Sequence, residues 1–347
     1  MTTTLPTPRP PAIPRGASRL WLWAVASVGL LLVAVALACS FGPASLNLAD
    51  TVRSLLGQPH GLTGVDRTVL LEIRVPRVVL GALVGAALAA SGAAYQTVFR
   101  NPLADPYLLG VAAGAGLGAT IAITARMNAQ SASLPLFAFV GASVAVLVTL
   151  GISGRLGRDP VSTVLAGVAV ASFATAVQTY LQQRNSNALR PVYSWILGQL
   201  TTAGWGSVRS VAAYVTVALV ALFWLSRRLD ALQLSDDEAT SLGVNPRTIR
   251  IWTVAAATLA TAAAVSVSGL IGFVGIVVPH VVRYLTGIAS ARLLPVIAIC
   301  GAAFVVLADL GARLVLAPAE VPIGVITAFI GAPFFLFVLR NRSGVLR

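Results

Sequence analysis

Lysine is missing: all 24 basic residues of this 347-residue chain are arginine. The absence excludes a phosphate-cradling Gly-x-x-x-x-Gly-Lys loop, so any ATP that drives this protein is bound by another subunit. Cysteine and histidine are scarce, two of each. Cys39 and Cys300 stand in apolar runs without partner spacing, which argues against a disulfide or metal role. His60 and His280 are far apart with no carboxylate cluster beside them, so a zinc protease or di-metal site has no support. His280 follows Pro279 and suits a structural hydrogen bond better than ligation. Charged residues make up only 10% of the chain, where a soluble domain carries about 25%.

What is present instead is apolar length. Hydrophobic residues reach 57%, with a mean hydropathy of +0.87. Runs near the roughly 20 residues that a bilayer requires cover 20–40, 75–98, 107–125, 134–154, 161–181, 208–226, 249–267, 270–285, 293–314 and 323–339. The expectation is an all-α polytopic membrane protein with about ten transmembrane helices. Ala36, Leu37, Ala38 and Cys39 faintly resemble a lipoprotein cleavage site, but the run before them is long for a signal peptide and is read as the first span. Residues 1–19, rich in Pro, Thr and Arg, are expected to form a disordered cytoplasmic tail, and 20–347 a single transmembrane domain.

Arginine placement sets the orientation, because short cytoplasmic loops hold the basic excess. With both termini inside, inner loops and tails collect fifteen of the 24 arginines and leave nine outside. Several outer arginines lie close to span ends and want another explanation. Membrane topology accounts for the net charge of +13, and no basic, aromatic-interleaved patch suggests nucleic acid.

Three local signals stand out. Arg100, Asn101, Pro102, Leu103, Ala104, Asp105 and Pro106 interrupt two apolar runs; neither proline can continue a helix, and polar backbone at that depth must meet protein or water. The break is therefore expected to line a path. Glycines four apart at Gly81 and Gly85, and at Gly110, Gly114 and Gly118, allow close helix packing, or bare faces along a passage. In the inner loop 229–250, Ser235 and Glu238 form a capping box, Asp236 and Asp237 suit the helix N-terminus, and Gly243 can end the helix before Pro246. A short cytoplasmic helix of about two turns follows, either a solvated connector or a docking element presenting Leu242. A further surface helix is expected near 49–56, and 185–205 reads as an outer segment. Asp309 and Arg313 stand one helical turn apart and can pair. Mid-membrane ionisable groups of the kind proton-driven transporters use are nearly absent.

Taken together the motifs resemble the FecCD-type permeases of ABC importers for ferric siderophores, haem and cobalamin. The resemblance rests on Arg74, Val75, Pro76 and Arg77; Gly92, Gln96 and the break at 100–106; Ser162 and Thr163 with Leu165, Ala166 and Gly167; Trp195 and Gly198; and Ser241, Leu242 and Gly243. It continues through Gly272, Phe273, Val274 and Gly275 with Pro279, His280 and Arg283, then Ala308, Asp309, Ala312 and Arg313, then Glu320 to Gly324, and Gly331 to Pro333. It implies a homodimer or close-paralogue dimer in the bacterial cytoplasmic membrane, two cytoplasmic ABC ATPase subunits and an extracytoplasmic substrate-binding protein. No cofactor would be bound by this chain, ATP and Mg being used by the partner ATPase. By the same resemblance Arg74, Arg77 and Arg313 would dock the binding protein, with lipid headgroups as an alternative partner. Asn101, Leu103, Ser162 and Thr163 would constrict the cytoplasmic end of the pathway, although Ser162 and Thr163 also suit helix capping. Ser235, Glu238, Ser241, Leu242 and Gly243 would couple to the ATPase. Ferric siderophore is the preferred cargo, with haem and cobalamin as alternatives; an ion-coupled secondary transporter is the reading outside the family.

Overall fold

The computed structural model describes residues 20–42, 46–59, 61–125, 133–153, 160–200, 204–288 and 290–343; the tail expected over 1–19 and His60 lie outside the described residues. Every regular element among them is helical. In chain order these are α1 (Leu20–Ser40), α2 (Leu48–Leu55), α3 (Gly64–Thr68), α4 (Val75–Val98), α5 (Val111–Thr124), α6 (Ser133–Ser153) and α7 (Pro160–Arg184). They continue with α8 (Leu189–Ile196), α9 (Trp205–Leu229), α10 (Asp236–Ser241), α11 (Pro246–Ser268), α12 (Val274–Thr286), α13 (Leu294–Leu314) and α14 (Ile323–Ser343). Among the described residues, seven helical stretches are long and apolar enough to cross a membrane, and three shorter apolar helices accompany them at Val111–Thr124, Val274–Thr286 and Ile323–Val338. The chain is a polytopic membrane protein.

The sequence of α4 explains why it sits at the centre. Its small residues permit close approach, and 83% of the apolar window containing it is buried, against 22% for α1. It packs against α9, α11, α12 and α13, while α5 packs on α6 and α7, and α1 on α13. Lipid tails supply no hydrophobic drive between helices, so contact depends on small residues and hydrogen bonds. A Cβ on Gly85 would lie 2.2 Å from Gly301 O, and one on Gly92 would lie 2.1 Å from Gly275 O. These glycines are packing surfaces: nothing larger fits. Ser91 Oγ donates to Ala257 O at 3.0 Å and the Tyr95 hydroxyl pairs with Thr258 Oγ1 at 2.8 Å, tying α4 to α11.

α3 runs through a π-helical stretch, Val69–Arg74, into α4, giving one continuous 35-residue helix, Gly64–Val98. The extra residue per turn leaves carbonyls misaligned, and Trp205 Nε1 donates to one of them, Leu71 O, at 3.0 Å.

Several boundaries differ from the sequence expectation. The apolar run from 107 starts as a 3-10 turn, Pro106–Leu109, because Gly110 at φ +83° resets the chain before α5. The run from 270 becomes α12 only at Val274, after Gly269 (φ +66°) and Phe273 (φ +68°). The segment 185–205, expected to lie outside, contains α8, held by buried Val192 and Trp195.

Candidate functional site

The break after α4 is built by local side-chain chemistry. Asn101 Oδ1 accepts from Leu103 N at 2.9 Å, and Asp105 Oδ1 accepts from Tyr107 N at 2.7 Å, so each polar residue turns the chain beside a proline. Gln96, on the last turn of α4, donates from Nε2 to Gly275 O at 3.0 Å, and its Oε1 accepts from Arg283 Nη1. The Tyr107 hydroxyl donates to Ile271 O at 3.0 Å and accepts from Ile271 N at 3.2 Å. Thus the break is fastened to the second irregular stretch, residues 269–273. It is also fastened to α7: a Cβ on Gly167 would lie 2.2 Å from Leu108 O. Asn101 and Ser162 are exposed, Leu103 half-buried and Thr163 buried. The close packing of α7 on the 3-10 turn brings the two expected constriction segments to one region of the fold.

Beside the break stands α10. The Ser235 side chain accepts from Glu238 N at 3.3 Å while Glu238 Oε2 accepts from Ser235 N at 2.9 Å, the reciprocal cap expected from the spacing. Gly243, at φ +76°, ends the element, and Leu242 is 66% exposed. Ser241, exposed, donates back to Asp237 O one turn earlier at 2.9 Å. The Ser235 amide and hydroxyl hold the Glu238 carboxyl below its usual range. Asp236 is lowered too, chiefly by hydrogen bonds from Arg250 and then by Arg100. Arg100 joins α10 to the break: it donates to Leu232 O at 2.7 Å, to Leu234 O, and to Asp236 Oδ1 at 3.0 Å. Arg250 Nη1 and Nη2 reach both Asp236 oxygens, at 3.0 and 2.7 Å. Sequence reasoning missed this ion triad because its members lie up to 150 positions apart.

At the other end of α4, the three arginines expected to dock a partner are turned inward. Arg74, Arg77 and Arg313 are 5%, 8% and 3% exposed. Arg77 forks onto Asp309, with Nη2 to Oδ1 at 2.8 Å, and onto Glu320, with Nη2 to Oε2 at 2.9 Å. Arg313 completes the pair foreseen at helical spacing, its Nε 3.2 Å from Asp309 Oδ2. Arg74 Nη1 donates to Cys39 O at 2.7 Å and Ser40 O at 2.8 Å, and Arg313 Nη2 to Ala38 O at 3.1 Å. Those are carbonyls of the last turn of α1, which lack a partner within the helix, although Ser40 O also accepts from Leu46 N at 2.9 Å; the helix dipole favours cations there. The cluster therefore clasps α1, α4, α13 and the turn before α14. Arg77 and Arg313 already meet carboxylates and Arg74 meets backbone carbonyls; of the resident carboxylates Glu320, 28% exposed at its side chain, is more accessible than Asp309 at 4%.

The sequence matches the model of the FecCD transport family over residues 30–341. It is 39% identical over 284 residues to the cobalamin import permease BtuC of Halobacterium salinarum, covering 82% of this chain and 76% of the relative. It is 34% identical over 321 residues to the iron(3+)-hydroxamate import permease FhuB of Bacillus subtilis, covering 92% and 83%. With the Fe(3+) dicitrate permease FecD of Escherichia coli it shares 38% over 271 residues, covering 78% and 85%. Among solved structures, an ABC transporter described as of metal-chelate type, in an inward-facing conformation, superposes with a TM-score of 0.80 at 28% identity, covering 94% of this chain and 99% of that one. A family match spanning nearly the whole length, on a fold that superposes end to end, leads to one conclusion: the chain belongs to the FecCD transport family.

Proposed function

We propose that this chain is the membrane-spanning permease subunit of an ATP-driven ABC importer that carries a ferric chelate inward, delivered by a substrate-binding protein. The observation that carries the reading is the reciprocally capped α10, which presents Leu242 to solvent beside the break that ends α4, in a chain whose relatives are named as iron-chelate permeases. In this reading the chain has about ten spans with both termini cytoplasmic, α10 and the break lie on the inner side, and the arginine cluster lies on the outer. In the bacterial cytoplasmic membrane, two copies, or this chain and a close paralogue, enclose one pathway. Two cytoplasmic ATPases seat the α10 helices through Ser235, Glu238, Ser241, Leu242 and Gly243. ATP and Mg act there, and this chain binds no cofactor. Asn101, Leu103, Ser162 and Thr163 constrict the inner end of the path. The binding protein docks outside, its carboxylates exchanging with Glu320 to engage Arg77, with Arg74 and Arg313 alongside; charge-assisted contacts of this kind orient a partner more than they tighten it.

The identity to the halobacterial cobalamin permease supports cobalamin as a second cargo. Uptake into proteoliposomes holding the permease, its ATPase and the loaded binding protein tests both, with radiolabelled ferric chelate and cobalamin run side by side. ATP-dependent accumulation of the chelate is expected, and Leu242→Glu should abolish it. Accumulation under an ion gradient with no ATPase subunit present would overturn the proposal.

A further inference from the structure

We infer that Arg100 and Asp236, with Arg250 behind them, form the mechanical link that carries movement of α10 to the inner break at Asn101 and Leu103. The inference rests on the permease reading above and adds to it a positioning residue, Arg100, outside the constriction and outside the ATPase-facing surface.

Three features single this contact out from an ordinary surface ion pair. The first is its multiplicity. The Arg100 guanidinium meets two backbone carbonyls, Leu232 O at 2.7 Å and Leu234 O, as well as the Asp236 carboxylate at 3.0 Å. It therefore grips the main chain leading into α10 and also its first helical residue. A planar fork of donors can do this; a point charge cannot.

The second is its place in the chain. Arg100 immediately precedes Asn101, whose amide is bonded back to Gln96 O at 3.1 Å and whose side chain turns the chain at Leu103. No flexible spacer separates the grip from the break. Arg100 itself adopts φ +49°, a left-handed conformation that side chains other than glycine enter at a cost and keep only when their surroundings demand it. That conformation closes α4: Arg100 N bonds to Thr97 O at 3.3 Å and Asn101 N to Gln96 O at 3.1 Å, so the residue that grips α10 is fixed in the cap of α4.

The third is asymmetry at Asp236. Arg250 holds both carboxylate oxygens and its side chain is 6% exposed, whereas the Arg100 side chain is 43% exposed. One cation fixes the carboxylate to α11; the other reaches across to the break. Displacing α10 thus pulls on the break through Arg100 while Arg250 keeps the helix oriented.

The test uses the reconstituted complex of permease, ATPase and binding protein, reading cargo moved per ATP hydrolysed. Arg100→Gln should retain ATP hydrolysis yet lower that ratio about tenfold, the factor expected for losing a charge-assisted hydrogen bond. Asp236→Asn should lower it in the same direction, and the double variant should be no worse than Arg100→Gln alone, because both changes cut one link. An unchanged ratio in Arg100→Gln, a proportional fall of hydrolysis and transport together, or losses that multiply in the double variant would each overturn the link. If Arg100→Gln does not assemble, Arg100→Lys, which keeps the charge and loses the fork, is measured in its place; a ratio equal to wild type again overturns the link. Uptake by the wild-type complex that ignores ATP would instead remove the permease reading itself, so the two failures are distinguishable.

Discussion

Asp309 is the keystone of the arginine cluster at the start of α4, and replacing it with asparagine isolates what its charge contributes. Its two oxygens accept from Arg77 Nε at 3.1 and 3.0 Å and from Arg77 Nη2 at 2.8 Å, with Arg313 Nε 3.2 Å away. The Asp309 and Arg313 side chains are each 4% exposed and that of Arg77 10%, so water screens little of the interaction. Asparagine fills the same volume but turns one acceptor into a donor facing a guanidinium. Removing one partner of a buried pair costs about 3–5 kcal/mol, since the remaining charges stay buried without compensation. With an unfolding entropy of about 2.1 cal/mol/K per residue, each kcal/mol moves the midpoint of a 347-residue chain by about 1.4 °C, so Asp309→Asn should lower the melting temperature in detergent by at least about 4 °C. Glu320→Gln serves as the internal comparison: it removes the other carboxylate from Arg77, but at a partly solvated site, and should cost about 1 kcal/mol or less. Two outcomes would refute the reasoning: Asp309→Asn melting with wild type, or Glu320→Gln costing as much as Asp309→Asn.

Two further expectations concern packing and pH. Gly92→Ala puts a Cβ 2.1 Å from Gly275 O and should destabilise the protein by about 1–3 kcal/mol, whereas Gly151→Ala, with nothing within 4 Å, should leave it unchanged or slightly more stable; equal melting curves for the two would contradict the α4–α12 contact. Asp236 has its carboxyl held low, first by Arg250, so its stabilisation is complete above the unfolded value of about 3.9 and is lost only as pH falls through the lower folded value. Amide-exchange protection of α10, corrected for intrinsic rates, should therefore be flat from about pH 8 to about pH 5; a steady decline across that window would speak against the ion pair.

What could be read in advance was chemistry closed within a few residues. The cap of Ser235 on Glu238, the stop at Gly243, the helix Leu48–Leu55, the pairing of Asp309 with Arg313 and the turn at Asn101 all depend on neighbours one to four positions away, and all are found. What escaped depended on distant partners. Arg74 and Arg77 read as free outer cations because the groups they meet, Cys39 O, Ser40 O, Asp309 and Glu320, lie 34 to 243 positions away in sequence. Arg100 read as one more inner-loop charge for the same reason. Hydropathy also overran the true helix starts at Val111 and Val274, since apolar residues continue through stretches where the backbone, reset at Gly110, Gly269 and Phe273, leaves the helix.

The phenol of Tyr107 gives one of these stretches a consequence of its own. Two membrane helices are interrupted at nearly the same place, and a single hydroxyl serves both the amide and the carbonyl of Ile271 across the gap. The stretches 106–109 and 269–273 are thus fastened into one unit, and losing that single oxygen would leave the amide and the carbonyl of Ile271 without their shared partner.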